Sequence, residues 1–304
     1  MRGSEVQIVE VGPRDGLQNE PVVVPTGGKV AYLRALVEAG LTRIEAASFV
    51  RPDLVPQLAD AEAVLARAPR LPGVRYAGLV LNRRGLRRAV EAGVDEVNVV
   101  VVASETFSRR NQGTGIQEGI RVAEEVVAGA AAAGLRTTVT IAAAFGCPFE
   151  GEVPPERVVE ITGRVAGTGV DEIALADTIG VAVPADVTDR LTAVREVTTI
   201  PLRCHFHNTR NTGYANAVAA LAAGVTALDA SSGGIGGCPF APRATGNLAT
   251  EDLQYLLSRS GTSTGLRLDD LLVPSRVVGE LLGKPPPALL PRAGGFPPAP
   301  GSGR

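Results

Sequence analysis

The chain has only two histidines among its 304 residues, His205 and His207, and they stand two positions apart. They lie in the stretch PLRCHFHNTRN, residues 201–211, whose first half is predicted to be a strand. Side chains alternate between the two faces of a strand, so both imidazoles point to the same face. Two nitrogen ligands on one face could begin a divalent-metal site. The competing interpretation is a histidine pair that is hydrogen-bonded in the core, and the spacing alone does not exclude it.

Two oxygen ligands could complete such a site. Asp15 follows the first predicted strand, and Asn247 follows the last one. Two nitrogen and two oxygen ligands with open positions suit an octahedral Mg²⁺ or Mn²⁺ better than a closed structural zinc. Without a metal, Asp15 would more simply form a structural ion pair with its neighbour Arg14.

A glycine-rich loop carries a third reactive side chain. Residues 233–240 read GGIGGCPF and place Cys238 after four glycines in six residues, which favours a loop that closes over a ligand. The alternative is that Cys238 is a small buried apolar residue, as most free cysteines are. Cys147 stands in the same Gly-Cys-Pro-Phe context, so this motif does not by itself mark a catalytic thiol.

Eight short apolar or β-branched runs could position these residues as strands. Several are apolar nearly throughout, as parallel strands buried on both faces are. The predicted strands are residues 7–11, 43–48, 75–81, 96–103, 136–144, 172–177, 202–207 and 227–231.

Helical segments follow the strands in strict alternation, and the phrase Ala-Gly plus an apolar residue recurs after four of them, as expected where a glycine ends a helix. Eight such units predict a (β/α)8 TIM barrel, whose active site lies at the carboxyl ends of the strands. An open doubly wound sheet is the alternative, but residues 11–16 lack its glycine fingerprint. The predicted helices are residues 28–39, 57–67, 84–92, 116–133, 155–167, 185–197, 212–223 and 250–260.

The C-terminal part has a different composition. A further helix is predicted over residues 269–282, so residues 1–283 form one barrel domain with a C-terminal helical extension. Residues 284–304 are rich in proline and glycine, and we expect an irregular or disordered tail there.

The overall composition narrows the function classes. The net charge is −2, tryptophan is absent and no long basic run occurs, which excludes a nucleic-acid surface. No apolar run has the length of a membrane span. The three cysteines are far apart and odd in number, and the first strand leaves no room for a targeting segment. We therefore expect reduced thiols in a cytoplasmic protein.

Several motifs together resemble the 3-hydroxy-3-methylglutaryl-CoA (HMG-CoA) lyase family. They are VGPRDGLQNE at residues 11–20, IEAASFV at 44–50, the histidine pair, GGCPFA at 236–241 and ATGNLATED at 244–252. The resemblance covers about residues 5–283, and the cysteine loop with its following segment is the most specific part. It implies a dimeric, metal-dependent enzyme of leucine degradation that cleaves an acyl-CoA substrate to acetyl-CoA and acetoacetate.

Carried over by position, the resemblance implies a role for each candidate residue. Arg14 would stand beside the acyl-CoA carbonyl with the support of Glu45, and Cys238 would take part in proton transfer. His205 and Asp15 belong to the catalytic set as well. The implied metal ligands are Asp15, His205, His207 and Asn247, and the candidate substrate-binding residues are Arg14, Gln18, Ser48 and Asn111.

Some positions depart from the family pattern and leave the acyl group open. They lie on the acyl and CoA side of the expected site, and they are Pro21, Asn208, Arg210, Asn211 and Arg243. A lyase for a related 3-hydroxy-3-methyl dicarboxyl-CoA, such as citramalyl-CoA, is therefore an alternative. A Claisen condensation enzyme of the isopropylmalate or homocitrate synthase type is a weaker one, because those enzymes lack this cysteine loop. A non-catalytic acyl-CoA-binding barrel is the third.

Overall fold

The computed structural model describes residues 5–237 and 246–296 and shows a closed barrel of eight parallel strands in sequential order. The last strand pairs with the first, which closes the sheet. This confirms the predicted (β/α)8 TIM barrel. The strands are β1 Gln7–Glu10, β2 Arg43–Ser48, β3 Arg75–Val80, β4 Glu96–Val102, β5 Arg136–Ala142, β6 Glu172–Asp177, β7 Leu202–Phe206 and β8 Ala227–Ala230.

Helices cover the outside of the barrel. The four glycines of the Ala-Gly repeats, at positions 40, 93, 134 and 224, all have positive φ, as expected for residues that end helices. The helices are α1 Thr26–Glu38, α2 Ala61–Leu65, α3 Arg83–Glu91, α4 Glu105–Gln112, α5 Ile116–Ala132, α6 Pro155–Ala166, α7 Pro184–Arg195, α8 Gly213–Ala222, α9 Thr250–Arg259, α10 Leu268–Leu282 and α11 Leu290–Ala293.

The sequence pattern missed α4, which lies in the loop after β4. This helix has almost no apolar periodicity, since only Phe107 of its residues is a buried apolar one. Its ends are defined instead by capping. The Ser104 hydroxyl accepts a hydrogen bond from the Phe107 N–H, and Gly113 ends the helix in the left-handed region with φ 73°.

Polar side chains fill the barrel interior in layers. At the amino-terminal end of the strands, Arg43 is 1% exposed and donates hydrogen bonds to both Glu96 and Glu172. One layer further along, Asn98 donates to Glu45 and accepts from Thr140. Since inward-facing residues recur every second position along a strand, these layers continue directly to the mouth of the barrel.

The C-terminal extension packs against the outer helices on one side of the barrel. Helix α10 packs on α1; it begins one residue before the predicted start and ends at the predicted residue. Beyond it, residues 284–296 are mostly irregular but packed. Ala288 and Leu290 are buried, the Leu290 N–H donates to Asp252 Oδ1 at 2.7 Å, and α11 forms. Ala288 and Leu290 provide the buried apolar surface that packs this segment against the rest of the chain. Residues 297–304 lie outside the described part.

None of the described helices combines the length and the apolar character needed to cross a bilayer.

Candidate active site at the barrel mouth

The turn after β1 places the first two candidates. Residues Gly12–Gly16 form one wide helical turn in which the N–H groups of Arg14, Asp15 and Gly16 all point to the Val11 carbonyl. This turn directs the side chains of Arg14 and Asp15 back over the open end of the barrel, where they are 12% and 16% exposed.

Arg14 is held by two carboxylates. Its Nε and Nη2 donate to the same Glu45 oxygen at 2.8 and 2.5 Å, and its Nη1 donates to Asp15 Oδ1 at 2.9 Å. The other Glu45 oxygen accepts from Asn98 at 2.9 Å. Glu45 is itself anchored in the polar interior, so the Arg14 guanidinium has a fixed position. Burial alone would lower the pKa of Arg14, but Glu45 and Asp15 raise it.

Asp15 and the two histidines converge on one point. One potential ligand atom from each of Asp15, His205 and His207 lies within 4.8 Å of the others. The two imidazole rings, carried on β7 and directly after it, have centroids 5.0 Å apart. The strand geometry expected from the sequence therefore brings these three side chains together.

Asn247 reaches the same cluster from the other side of the glycine-rich loop. Its backbone pairs with His207, and its Nδ2 donates to Asp15 Oδ2 at 2.8 Å and to the Ile235 carbonyl at 3.1 Å. Gly236, with φ 109°, makes room for this amide, because a Cβ there would lie 2.6 Å from the Asn247 Nδ2. A side chain at position 236 would thus push Asn247 out of the site.

The three titratable groups of the cluster have pKa values that are shifted in different directions. Burial raises the pKa of Asp15, but the Arg14 guanidinium and the imidazoles outweigh it and bring the value to about 2. Burial, together with His205, lowers the pKa of His207 to about 4. His205 behaves in the opposite way: burial lowers its pKa, but the hydrogen bond to Asp229 and the nearby Asp15 raise it. At neutral pH the cluster thus contains an ionised carboxylate and at least one neutral imidazole.

This donor set fits a hard divalent cation. Among the described residues, the buried His207 Nδ1 and Asn247 Oδ1 have no hydrogen-bond partner, although both carry lone pairs. A half-turn of the Asn247 amide would present its oxygen to Asp15 in place of the nitrogen. Carboxylate and amide oxygens with imidazole nitrogens are ligands that Mg²⁺ and Mn²⁺ accept. Asp15, His205, His207 and Asn247 are therefore able to hold such an ion.

The sequence interpretation missed a residue behind the histidines. Asp229, on β8, lies with its Oδ2 3.1 Å from His205 Nδ1, and Arg203 lies 3.4 Å from the other carboxylate oxygen. Part of the signal was present in the sequence, because polar residues recur at every second position, at 203, 205 and 207. That Asp229 lies beside them depends on the register between β7 and β8.

The other predicted substrate-binding residues, Gln18, Ser48 and Asn111, differ in how deeply they are buried. Gln18 lies half-buried next to the Arg14 turn, and Ser48 is buried at the end of β2; the Gln18 Oε1 and the Ser48 Oγ have no hydrogen-bond partner among the described residues. Asn111 is exposed on α4 and makes no hydrogen bond with the cluster within the described residues. Cys238 and Arg243 lie outside the described residues.

Arg210 is tied to the turn after β6 rather than to the cluster. Its Nη1 donates to the carbonyls of Ile179 and Gly180 at 3.0 and 2.9 Å. Asp177, at the end of β6, uses its two carboxylate oxygens to accept from the N–H groups of Val181 and Ala182. Burial raises the pKa of Asp177. Both residues shape this turn, which borders the cluster.

Comparison with known proteins confirms the resemblance to HMG-CoA lyases that the sequence motifs indicate. The chain is 42% identical to the hydroxymethylglutaryl-CoA lyase YngG of Bacillus subtilis, over 93% of this chain and 95% of the relative. It is 43% identical to the (R)-citramalyl-CoA lyase of Chloroflexus aurantiacus, over 95% of each. An HMG-CoA lyase structure from Acinetobacter baumannii, in complex with coenzyme A and 3-methylmalate, superposes with a TM-score of 0.92 at 39% identity, over 97% of this chain and 98% of that one.

The family model described as HMGL-like matches residues 5–278, which include the whole barrel and all four residues of the candidate metal centre. The chain belongs to the HMGL-like family.

Proposed function

We propose that the protein is a divalent-metal-dependent carbon–carbon lyase that cleaves HMG-CoA to acetyl-CoA and acetoacetate. The observation that carries this proposal is the convergence of Asp15, His205 and His207 beside the fixed guanidinium of Arg14, at the mouth of a barrel of the HMGL-like family. Relatives named hydroxymethylglutaryl-CoA lyase share 42–46% of its residues, which supports the same substrate here.

The reaction breaks the bond between C2 and C3 of the acyl group. The C3 hydroxyl loses its proton and its oxygen becomes the ketone of acetoacetate. The electron pair of the broken bond moves to C2 and forms the enolate of acetyl-CoA, which is then protonated on carbon. The site must therefore stabilise negative charge at the thioester oxygen as it develops.

Arg14 has the position and the charge for that task. A guanidinium stays protonated at any working pH, and three hydrogen bonds to Glu45 and Asp15 fix its direction. Because it is held before the substrate arrives, little reorganisation is needed when the enolate forms. In our proposal Glu45 supports Arg14 and does not itself touch the substrate.

The metal centre would bind and polarise the hydroxyl end of the substrate. The proposed ligands are Asp15, His205, His207 and Asn247, and the ion is Mg²⁺ or Mn²⁺. When bound there, such an ion lowers the pKa of a hydroxyl group and orients it. The neutral His207 and the ionised Asp15 are in the protonation states that ligands require.

His205 offers only one nitrogen to the mouth. Its Nδ1 faces Asp229, so Nε2 either binds the ion or accepts a proton, but cannot do both at once. We assign Nε2 to the ion. The hydroxyl proton then leaves through a group other than Nε2, either water at the mouth or Asp177, whose two oxygens each accept one backbone N–H and keep a further lone pair. Cys238 remains our candidate for protonating the enolate.

Citramalyl-CoA is the second candidate substrate, favoured by one relative. The (R)-citramalyl-CoA lyase is as similar to this chain as the HMG-CoA lyases are. Citramalyl-CoA carries its carboxylate one methylene closer to the hydroxyl carbon. Asn208, Arg210 and Asn211, which depart from the family pattern, lie in the loop after β7. Arg210 bonds this loop to the turn after β6. We expect the two substrates to be distinguished where this loop and this turn meet.

A substrate panel tests the function. The chelated protein is assayed with HMG-CoA and (R)-citramalyl-CoA, each with Mg²⁺ and with Mn²⁺, and acetyl-CoA, acetoacetate and pyruvate are quantified by mass spectrometry. We expect the highest kcat/KM for HMG-CoA. A higher value for citramalyl-CoA would select the second candidate. Release of free CoA from acetyl-CoA and a 2-oxo acid, with neither thioester cleaved, would establish a condensation enzyme instead.

We also propose a homodimer that acts in the cytoplasm, in leucine degradation. The family resemblance supports these assignments. Light scattering of the purified protein across a concentration series tests the dimer, and a monomer at all concentrations would contradict it.

A further inference from the structure

Asp229 lies beside His205 inside the barrel and is not one of the candidate metal ligands. Cys204 of β7 pairs with Leu228 of β8, so the next residues along each strand, His205 and Asp229, stand side by side and both point inward. Asp229 Oδ2 lies 3.1 Å from His205 Nδ1, and Asp229 is 7% exposed. An ionised carboxylate only accepts hydrogen bonds, so the proton of this contact is on Nδ1.

Asp229 is in turn fixed from below. The Arg203 Nε lies 3.4 Å from Asp229 Oδ1 and 3.4 Å from Glu172 Oε1, and all three residues are buried. Glu172 accepts two hydrogen bonds from Arg43 at 2.7 and 2.8 Å. A chain of alternating charges therefore runs through the barrel interior from the layer around Arg43 to His205. The Arg203 guanidinium thereby holds the Asp229 carboxylate in place from the side opposite His205.

We infer that Asp229, held by Arg203, is a positioning residue that fixes the proton of His205 on Nδ1 and directs Nε2 to the barrel mouth. This inference rests on the proposed function only in giving Nε2 a metal ion to bind. Carboxylates that accept a hydrogen bond from a ligating histidine fix both its tautomer and its orientation. Asp229 does this from the strand next to the histidine, without entering the cluster itself.

His207 provides an internal comparison. Its Nδ1 is buried and has no hydrogen-bond partner among the described residues, so no carboxylate accepts a hydrogen bond from this atom. The two imidazoles thus differ in their support although they stand two residues apart on the same face. Because the chain contains no other histidine, histidine labelled with ¹⁵N gives signals from these two rings alone.

The first test observes the tautomers directly. NMR correlation spectra of the full-length protein labelled with [¹⁵N]histidine are recorded with and without Mg²⁺, at a pH where both rings are neutral. The rings are assigned with a His207→Gln variant. We expect a proton on Nδ1 of His205 that is protected from exchange. A His205 proton found on Nε2 in the wild-type protein would overturn the inference without any variant at position 229.

The second test removes the carboxylate charge. In Asp229→Asn, we expect a mixture of His205 tautomers, an unchanged His207 spectrum and Mn²⁺ binding weaker by about 10- to 100-fold, measured by calorimetry with Mn²⁺ alone. The matched variant is Asp171→Asn, whose carboxylate accepts hydrogen bonds from Thr137 at the opposite end of the barrel and should leave the Mn²⁺ affinity unchanged.

A purely structural role gives a different result. Urea unfolding then shows a less stable Asp229→Asn protein, but the folded fraction keeps the wild-type His205 tautomer and Mn²⁺ affinity, and the inference is wrong. The proposed function can fail separately. If the protein cleaves neither thioester but still shows the Nδ1 proton and its loss in the variant, the positioning by Asp229 stands while the lyase assignment falls.

Discussion

The two ends of the barrel interior contain similar residues in different states. Near the amino-terminal ends of the strands, the Arg43 guanidinium donates to Glu96, Glu172, Thr138 and Gln7, so all of its donors are used. At the mouth, Arg14 makes three hydrogen bonds, to Glu45 and Asp15, and next to it the His207 Nδ1 and the Asn247 Oδ1 are buried without a hydrogen-bond partner among the described residues.

This difference separates a structural network from a binding site. Burying a polar atom without a partner costs free energy, so such atoms persist where something else is bound to them or where function requires them. In the network around Arg43, the buried Nε atoms of Arg136 and Arg203 also lack a hydrogen bond, but they are donors that lie 3.8 and 3.4 Å from the Glu96 and Glu172 carboxylates. They therefore offer no lone pair to a cation. The cluster around Asp15 has charges and lone pairs left over. Substitutions at the two ends should therefore affect different measurements.

The largest effect should follow from Asp15→Asn at the mouth. This change removes the anionic oxygen of the proposed metal centre at almost constant volume, and Arg14 keeps its bonds to Glu45. We expect no detectable cleavage of HMG-CoA and no measurable Mn²⁺ binding, with an unfolding midpoint close to that of the wild type.

The comparison variant for this change is Asp53→Asn, which breaks an exposed ion pair with Arg51 and should retain full turnover. Normal Mn²⁺ affinity and activity in Asp15→Asn would show that the open lone pairs at the mouth do not form a metal centre.

The second effect should follow from Arg43→Met at the opposite end. Two carboxylates, Glu96 and Glu172, would lose the guanidinium that donates to both of them while still buried, and breaking a buried pair in this way costs roughly 3–5 kcal/mol. We expect the free energy of unfolding in urea to fall by about that amount, with the Mn²⁺ affinity of the folded protein unchanged. Arg121→Met, which breaks exposed pairs on α5, should leave the free energy of unfolding almost unchanged.

A third, smaller effect should follow from Arg14→Lys. Lysine keeps the charge but cannot reproduce the three hydrogen bonds to Glu45 and Asp15, so the cation is no longer fixed beside the thioester oxygen. By analogy with the loss of one oxyanion donor, we expect kcat to fall by roughly 10²–10³-fold. Mn²⁺ binding should change little, since Arg14 is not a ligand. A change in KM alone, with kcat retained, would mean that Arg14 only binds substrate.

The sequence predicted the barrel well because its signals are local. Each strand is a short apolar run, and glycine follows four of the helices, so the order of elements follows from periodicity and turn chemistry. The strand ends then placed Asp15, His205, His207 and Asn247 at the same face. Their convergence within a few ångströms is observed in the structure; their roles as ligands are our proposals.

Pairing inside the barrel could not be predicted in the same way. Parallel strands are buried on both faces, so alternation does not say which polar residues point inward. The contact between His205 and Asp229 depends on the register between β7 and β8, which no local pattern encodes. Helix α4 and the packing of residues 284–296 were missed because capping and a few apolar side chains, rather than periodicity, define them.

The smallest effect is on the pH dependence of stability, and it concerns two buried glutamates. Glu172 belongs to the network around Arg43, and Glu251 lies outside it. Burial raises the pKa of Glu172, but Arg203 and Arg43 outweigh it and lower the value to about 2. Glu251 has no cation bonded to it within the described chain; it accepts hydrogen bonds from the Gly233 N–H, and burial raises its pKa to about 7. The two carboxyl groups should therefore affect stability in opposite pH ranges.

The sign follows from the protons that each state binds. Between pH 4.5 and 7 the folded chain retains a proton on Glu251 that the unfolded chain has lost, so this residue makes stability fall as pH rises. For Glu172 the unfolded chain binds the extra proton, and its contribution is lost as pH falls from 4.5 towards 2.

Glu251→Gln should therefore flatten the decline between pH 5 and 7 and stabilise the protein at pH 8 by about 2–3 kcal/mol. Urea unfolding at pH 5, 6, 7 and 8 measures this, with the exposed Glu38→Gln as reference. A pH dependence in Glu251→Gln that parallels the wild type would show that Glu251 is ionised in the folded protein, and that burial without a cation does not distinguish it from the network around Arg43.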